Sequence, residues 1–287
     1  MNPRERGFLL LTGTLGDPGR QPLTVAQFRT LARQAAQMRQ PGEDRDLTVE
    51  DLAAIGCDAA MARRILALLD QETLLDGYVR RGAAMDCYPI TRVSPGYPAR
   101  LKARLGLDSP GCLWIKGDRN LLETPAVALV GSREPGDANR EFAAQVGYQA
   151  ARQGFTLISG NARGADRIAQ ESCLNAGGRV ISVVADALER CPLCRNTLYI
   201  AEDGFDLGFT AKRALSRNRV IHALGQKTFV AQSSHGSGGT WSGTTMNLRG
   251  GWSPVFCFDD GSEAAVALEK MGAALIGKQA LFALEML

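Results

Sequence analysis

Ala126-Val127-Ala128-Leu129-Val130-Gly131-Ser132-Arg133 is the stretch that decides the fold. Its first five residues are a continuous apolar run, which is typical of a strand buried on both faces of a parallel sheet, and Gly131 ends the run. The elements predicted after it are helices at 139–153, 165–176, 211–224 and 263–286, and strands at 155–158, 180–184, 229–231 and 255–258. This alternation predicts an α/β fold with a Rossmann-like, doubly wound and mostly parallel sheet.

The chain divides into three predicted parts. Residues 1–85 indicate a small helical domain, SAM-like or helix-hairpin-helix-like, with Thr24 and Thr48 as helix caps and turns at Pro41-Gly42 and Gly56. Residues 86–125 contain five prolines, so we expect an extended connector with little regular structure besides a short helix near Leu101. Residues 126–287 form the Rossmann-like domain.

Composition indicates an ordinary cytoplasmic protein. Of its 287 residues, 45% are apolar, and no apolar run approaches the roughly 20 residues that a membrane span requires. Seven scattered cysteines are too few for a disulfide framework and favour a reducing compartment. The net charge of +3 is weak, but residues 207–258 contain six basic side chains and no Asp or Glu. That local imbalance indicates a basic surface, although a chance fluctuation remains an alternative.

Three Gly- and Ser-rich segments are predicted to follow strands, at 131–133, 159–166 and 237–244. In an open α/β sheet, ligands bind beyond the carboxyl ends of the strands, and the following helices present N–H groups that bind anions. Arginine adds bidentate phosphate contacts. The candidate phosphate-binding residues in these segments are Gly131, Ser132, Arg133, Ser159, Gly160, Arg163, Gly164, Asp166, Ser237, Gly238 and Thr240.

The predicted helix 211–224 supplies the remaining candidates, Arg217, Asn218 and Arg219. Helical spacing puts Arg213 and Arg217 on one side, and Lys212 and Arg219 on another, so the four cations cannot touch one phosphate. We expect one pair to hold a nucleic-acid backbone while a member of the other orders neighbouring loops through carbonyls. Asn218 fits a structural role as well as a ligand contact.

Several chemistries are disfavoured by what the sequence lacks. No G-x-G-x-x-G follows the first strand and no Walker motif occurs, so neither dehydrogenase chemistry nor ATP hydrolysis is expected. Cys191-Pro192-Leu193-Cys194 is a single CxxC without an evident second ligand pair, and we expect no bound metal. His222 is interpreted as a packed or surface residue, and His235 as the better candidate for touching a ligand. We expect no catalytic residue and no cofactor.

Ordered motifs across about 140 residues resemble the DprA/Smf family of DNA-processing proteins. They are Tyr97-Pro98 with Leu101, Leu113 to Gly117 (LWIKG), Val127 to Arg133 (VALVGSR), Ile158 to Asp166 (ISGNARGAD), Gly177-Gly178, Arg217-Asn218-Arg219 with Ile221, and Ser237-Gly238.

This resemblance implies a cytoplasmic protein that binds single-stranded DNA, protects it during natural transformation, loads a RecA-type recombinase and forms a homodimer, with Arg133 as a principal DNA contact. Gln170 stands where the family usually has His, and Cys191-Pro192 where it has Tyr-Pro. The aromatic-Pro pair that commonly precedes Arg-Asn-Arg is missing, and Phe209 or Trp241 are the candidates to replace its base-stacking surface.

Two rival interpretations remain open. Related Rossmann-like proteins hold nucleoside phosphates in similar loops, as nucleotide-binding sensors or phosphoribohydrolases. The hydrolase version usually carries Gly-Gly-x-Gly-Thr-x-x-Glu, and residues 238–247 contain no Glu. A scaffold that kept the fold and lost the ligand is the other alternative.

Overall fold

The computed structural model describes residues 1–38 and 47–287, so the predicted turn at Pro41-Gly42 lies outside the described residues. The described chain divides into two compact units. One comprises Met1–Met85 and Val93–Pro95, and the other comprises Asp86–Arg92 and Gly96–Leu287.

The first unit is helical. Its helices are α1 (Pro3–Thr12), α2 (Val25–Met38), α3 (Val49–Ala54), α4 (Ala59–Leu69) and α5 (Glu72–Ala84). Both predicted caps are confirmed, because the hydroxyl of Thr24 accepts from Gln27 N–H and that of Thr48 accepts from Asp51 N–H. Gly56 lies in the turn between α3 and α4, whose apolar sides bury Leu52 and Ile65.

The second unit is built on one nine-stranded sheet, with the order β1-β2-β6-β5-β4-β3-β7-β8-β9. The strands are β1 (Tyr88–Thr91), β2 (Cys112–Gly117), β3 (Ala126–Val130), β4 (Thr156–Ser159), β5 (Arg179–Val183), β6 (Thr197–Glu202), β7 (Thr228–Val230), β8 (Val255–Phe258) and β9 (Ala274–Ile276). Strands β3 to β9 pair in parallel, while β1 and β2 add an antiparallel edge beside β6. The predicted doubly wound, mostly parallel sheet is confirmed.

Helices cover both faces of this sheet. They are α6 (Ala99–Leu105), α7 (Asp137–Arg152), α8 (Ala165–Asn175), α9 (Ala211–Leu224), α10 (Gly238–Gly250) and α11 (Glu263–Lys270). Along β3, Val127 and Leu129 pack in the core under α7 and α8, whereas Ala128 and Val130 pack in the core under α9. The run Ala126–Val130 is therefore apolar because both faces of its strand are covered.

Two predictions about elements were wrong, and one strand was missed. The 86–125 segment contains the short helix expected near Leu101, but it has more regular structure than predicted, because β1 and β2 join the sheet through pairing with each other and with β6. Strand β6 itself was not predicted, although Thr197–Glu202 is buried throughout. The expected closing helix 263–286 stops at Lys270, because residues 274–276 pair with β8 as a strand before a 3₁₀ helix at Lys278–Met286.

Candidate functional site

A cleft of about 790 Å³ opens at the carboxyl ends of β3 and β7. These adjacent strands connect to helices on opposite sides of the sheet, which makes their ends the topological switch point where ligands bind in such folds. The walls of the cleft are formed by the segment after β3, by α9, and by the segment leading into α10. Nine predicted site residues line it, namely Gly131, Ser132, Arg133, Asp166, Arg217, Asn218, Ser237, Gly238 and Thr240.

The segment Gly131–Arg133 is held in place by its neighbours. Ala165 N–H donates to the Ser132 carbonyl at 3.0 Å, and the Thr240 hydroxyl donates to the Gly131 carbonyl at 2.9 Å. Gly164 has a φ of +87°, and a Cβ there would lie 2.4 Å from the Arg133 carbonyl oxygen, so a side chain would separate the two segments. The carbonyl groups of Gly131 and Ser132 therefore take part in hydrogen bonds that fix the conformation of this loop.

The Arg133 side chain is the exception. It is exposed, it lines the cleft, and in the described part of the chain it has no hydrogen bond or ion pair. A guanidinium that is already solvated and unpaired can meet a phosphate without first breaking a protein contact. Arg133 is therefore the cation most available to an anionic ligand.

Asp166 and Arg217 form a buried pair behind this loop. The Asp166 carboxylate accepts from the N–H groups of Gly160 at 3.1 Å and Ala162 at 3.3 Å, and its Oδ2 lies 3.9 Å from Arg217 Nη1. Burial raises the pKa of Asp166, against the opposing effects of Arg217 and the two N–H groups. A Cβ at Gly160 would lie 1.3 Å from Arg217 Nη1, so glycine there leaves room for the guanidinium.

The remaining arginines of α9 also bind groups of the protein. Arg213 donates to the carbonyls of Leu207, Gly208 and Glu202, and Arg219 lies 3.3 Å from the Glu202 carboxylate. Arg213 orders neighbouring loops through carbonyls, as expected for a member of one pair. Both pairs contribute an arginine to internal contacts, so neither pair as a whole is left to hold a nucleic-acid backbone, as one was expected to.

Asn218 joins α9 to the start of α10. Its Nδ2 donates to the Gly239 carbonyl at 2.9 Å, and the residue lines the cleft. The structural role considered for this side chain is therefore present, beside a position where a ligand can also reach it.

Five predicted site residues do not line the cleft: Ser159, Gly160, Arg163, Gly164 and Arg219. Arg163 is exposed and lies 2.5 Å from Glu134. Ser159 is fully buried, and its hydroxyl accepts a hydrogen bond from Gln170 Nε2 at 2.9 Å. Gln170 therefore helps to hold the end of β4 in place. The segment after β4 thus positions the other residues and contributes chiefly Asp166 to the cleft wall.

The third predicted loop lies earlier in the chain than expected. Helix α10 begins at Gly238, so most of 237–244 is its first two turns, and the loop itself spans residues 231–237. Ser237 precedes α10 with no side-chain cap bond, and Ser237, Gly238 and Thr240 at the start of this helix line the cleft. The N-terminus of a helix is a favourable place for an anion. Ser233 and Ser234 also line the cleft and were missed, although they lie in the loop that follows β7.

One wall of the cleft is apolar. Phe209 and Leu215 line it with 54% and 48% of their surface exposed, next to Ala211 and Ala214. Phe209 was predicted as one candidate to replace the missing aromatic-Pro pair, and it lines the cleft. Trp241 instead packs against the core and stacks edge-on with His235.

The CxxC segment shows no metal site. Cys194 is exposed and accepts a hydrogen bond from the Tyr199 hydroxyl, with the two atoms 3.7 Å apart, while Cys191 is partly buried. Within the described ranges, no group of three or more His, Cys, Asp or Glu side chains is arranged to hold a metal ion.

The doubly wound, mostly parallel sheet defines this chain as an α/β protein with a Rossmann-like fold, with a cleft at the switch point of the sheet. The family model of DNA recombination-mediator protein A matches residues 89–281. Because the match covers most of the chain, this protein belongs to that family, and the DprA/Smf resemblance is confirmed.

Individual relatives agree with this assignment. The DNA processing protein DprA of Streptococcus pneumoniae is 31% identical over 141 residues, which cover 46% of this chain and 50% of that protein. The matched stretches span between 32% and 56% of the curated relatives' lengths, so about half or less of those proteins is represented.

Two solved structures share the fold. DNA processing protein A from Streptococcus pneumoniae superposes with a TM-score of 0.72 at 24% identity, covering 94% of this chain and 95% of that one. A structure describing the single-stranded DNA binding mode of DNA processing protein A from Helicobacter pylori gives 0.59 at 24% identity, covering 70% and 95%. Separately, none of the helices in residues 1–38 and 47–287 has the length and apolar character needed to cross a membrane.

Proposed function

We propose that this chain binds single-stranded DNA in the cleft and acts without catalysis of its own. The observation that carries the proposal is the exposed, unpaired Arg133 beside the N-terminus of α10. Of the described residues, Asp166 is the one acidic side chain that lines the cleft, and Arg217 lies against it. A phosphate here would meet the Arg133 cation and the N-terminus of α10, while Arg217 counters the charge of the Asp166 carboxylate.

The apolar wall favours a nucleic-acid strand over a free phosphate. Exposed Phe209 and Leu215 provide a surface on which bases can stack, opposite the polar side that receives phosphates. Such a pairing of a backbone-binding side with a stacking side is how proteins bind single strands without reading a duplex. The DNA processing protein A of Helicobacter pylori, whose structure is described in terms of its single-stranded DNA binding mode, supports the same ligand class.

The family's role extends the proposal to DNA uptake and recombination. We infer protection of incoming strands, delivery to a RecA-type recombinase, assembly as a homodimer and a cytoplasmic location. Support for these four statements comes from family membership alone.

A phosphoribohydrolase is less well supported by the cleft. Helix α10 has no Asp or Glu between Gly238 and Gly250, so it lacks the carboxylate that would act as acid or base. We therefore propose that the cleft binds its ligand and does not catalyse a reaction on it.

The test is fluorescence anisotropy with a labelled 20-nucleotide single strand, the same sequence as a duplex, and adenosine monophosphate as competitor, at two salt concentrations. We expect tight single-strand binding with log Kd rising steeply with log salt, at a slope of roughly 0.7 for each phosphate neutralised. Weaker binding to the duplex and little competition by the nucleotide are expected as well. Failure to bind either DNA at low salt would refute the proposal, and strong competition by the mononucleotide would favour the nucleotide-sensor alternative.

A further inference from the structure

The CxxC segment, Cys191 to Cys194, lies between a short 3₁₀ helix and β6, and none of its residues lines the cleft. Its first cysteine is partly buried and its second is exposed. Cys191 N–H donates to the Leu188 carbonyl at 3.0 Å, and just beyond Cys194 the Asn196 carbonyl accepts from Val180 N–H at 2.9 Å. The segment therefore has fixed ends and an accessible thiol.

Both thiols lie beside groups that assist sulfur chemistry. The Tyr199 hydroxyl donates to Cys194 Sγ at 3.7 Å, and burial followed by the two thiols raises the pKa of Tyr199, so it keeps its proton and remains a donor. Opposite Tyr199 in the sheet, Lys116 donates from Nζ to the Glu189 carbonyl at 3.1 Å, two residues before Cys191. Burial raises the pKa of Cys191, and the Lys116 charge opposes that increase. A hydrogen-bond donor and a cation both stabilise a thiolate, which is the reactive form of cysteine.

The two residues between the cysteines allow the sulfur atoms to meet. Pro192 and Leu193 are exposed, and no backbone hydrogen bond within the described ranges holds either of them. Proline is favoured at the second position of a four-residue β-turn, which brings its first and last Cα atoms within about 7 Å. A disulfide needs Cα atoms roughly 4.4 to 6.8 Å apart, so a turn at these two residues is sufficient to form one.

We propose that Cys191 and Cys194 form a redox-active dithiol that low-molecular-weight disulfides oxidise to an internal disulfide. The exposed Cys194 thiolate attacks one sulfur of the reagent, the S–S bond of the reagent breaks, and one reagent thiol leaves with a proton from water. The sulfur of Cys191 then loses its proton to solvent, attacks Cys194 Sγ and displaces the second reagent thiol. The protein loses two electrons and the reagent gains them, so a dithiol reductant reverses the reaction.

This inference is independent of strand binding, because the segment is not part of the cleft. It also agrees with the compartment proposed for the protein. In a reducing cytoplasm lasting disulfides are rare, and those that form are mostly transient and report the redox state. A reversible dithiol is therefore the chemistry that a partly exposed CxxC suits there.

The test treats the native whole chain with glutathione disulfide, stops the reaction with acid and locates the modified cysteines by peptide mass spectrometry. Wild type is expected to give a peptide in which Cys191 and Cys194 are joined, with a mass lower by two hydrogen atoms. Cys191→Ser should stop at a glutathione adduct on Cys194. Cys194→Ser should leave Cys191 unjoined and modified about tenfold more slowly, because its thiol is partly buried.

Cys57 provides an internal control in all three proteins. It is partly buried like Cys191, but it has no second cysteine nearby in the sequence. Cys57 should therefore form a glutathione adduct at most and no internal disulfide. Dithiothreitol should return every modified cysteine to the free thiol.

A second measurement needs no substitution, so it does not depend on the folding of a variant. In wild type labelled with ¹³C at cysteine, the Cβ signals of Cys191 and Cys194 should both move to the range of disulfide-bonded cysteine after treatment. The signals of buried Cys112 and Cys257 should stay in place. A glutathione adduct that persists on wild-type Cys194 without passing to Cys191, or a Cys194 that does not react, would overturn the inference.

Discussion

The segment Gly131–Arg133 and helix α9 both bring arginines to the same cleft, but they use them differently. Arg133 is exposed and unpaired in the described part of the chain, whereas Arg213, Arg217 and Arg219 each bind groups of the protein. In the sequence, α9 is the more basic of the two. A count of basic residues therefore predicts a basic region, whereas burial and pairing decide which of these side chains a ligand can contact.

Replacing Arg217 should have the largest effect on stability. Arg217→Met keeps the aliphatic volume but leaves Asp166 buried without its cation, and we expect the free energy of unfolding to fall by about 3 kcal/mol. Urea denaturation followed by circular dichroism measures the free energy of unfolding. Arg133→Met is the matched control and should change the free energy by less than about 0.5 kcal/mol. Equal stability of the two variants would contradict the assignment of Arg217, and not Arg133, to a stabilising contact within the protein.

His222 should give α9 a pH-dependent contribution to stability. Burial lowers the pKa of His222 to about 3 in the folded state, below the 6.5 of an unperturbed histidine, so the unfolded chain binds a proton first as the pH falls. This part of the stability is fully present above about pH 6.5 and decreases toward pH 3, by roughly 2 kcal/mol between pH 7 and pH 5.

The measurement is the free energy of unfolding at pH 7, 6 and 5 for wild type and His222→Leu. The difference between the two proteins isolates the histidine from the carboxyl groups that titrate in the same range. A difference that stays constant with pH would contradict the buried, neutral imidazole.

Arg163 should matter least, although its motif is as prominent in the sequence as that of Arg133. Its guanidinium is exposed and paired with exposed Glu134, outside the cleft lining. Arg163→Ala should change stability by less than about 0.5 kcal/mol and weaken strand binding by no more than about threefold, since it leaves Glu134 unpaired near Arg133. A tenfold loss would place Arg163 among the ligand contacts and extend the site beyond the cleft.

The sequence predicts the fold well where periodicity is strong. The apolar run of β3 and the helix 211–224 match the structure because burial on two faces and 3.6-residue spacing leave clear patterns. Strands β1, β2 and β6 were missed, because prolines and the CxxC suggested loops where long-range pairing creates a sheet edge. Pairing partners distant in the chain leave no local signal.

The site was predicted in part for a similar reason. Loops after β3 and β7 could be placed together from topology, since parallel strands end at one edge of the sheet. Topology could not show that Arg163 pairs with Glu134 outside the cleft lining, or that the buried His222 Nε2 has no hydrogen-bond partner among the described residues. These features depend on side-chain contacts across the fold, so they appear only in three dimensions.

The most direct test of the account is the affinity of Arg133→Ala for a single-stranded oligonucleotide, measured by anisotropy at two salt concentrations beside Arg249→Ala. Arg249 is an exposed arginine of α10 outside the cleft lining, so both variants lose the same charge. We predict that Arg133→Ala binds about tenfold more weakly, with a salt slope lower by roughly 0.7, while Arg249→Ala stays within about twofold of wild type. Equal affinities for the two variants would contradict the assignment of Arg133 and the cleft as the DNA-binding site.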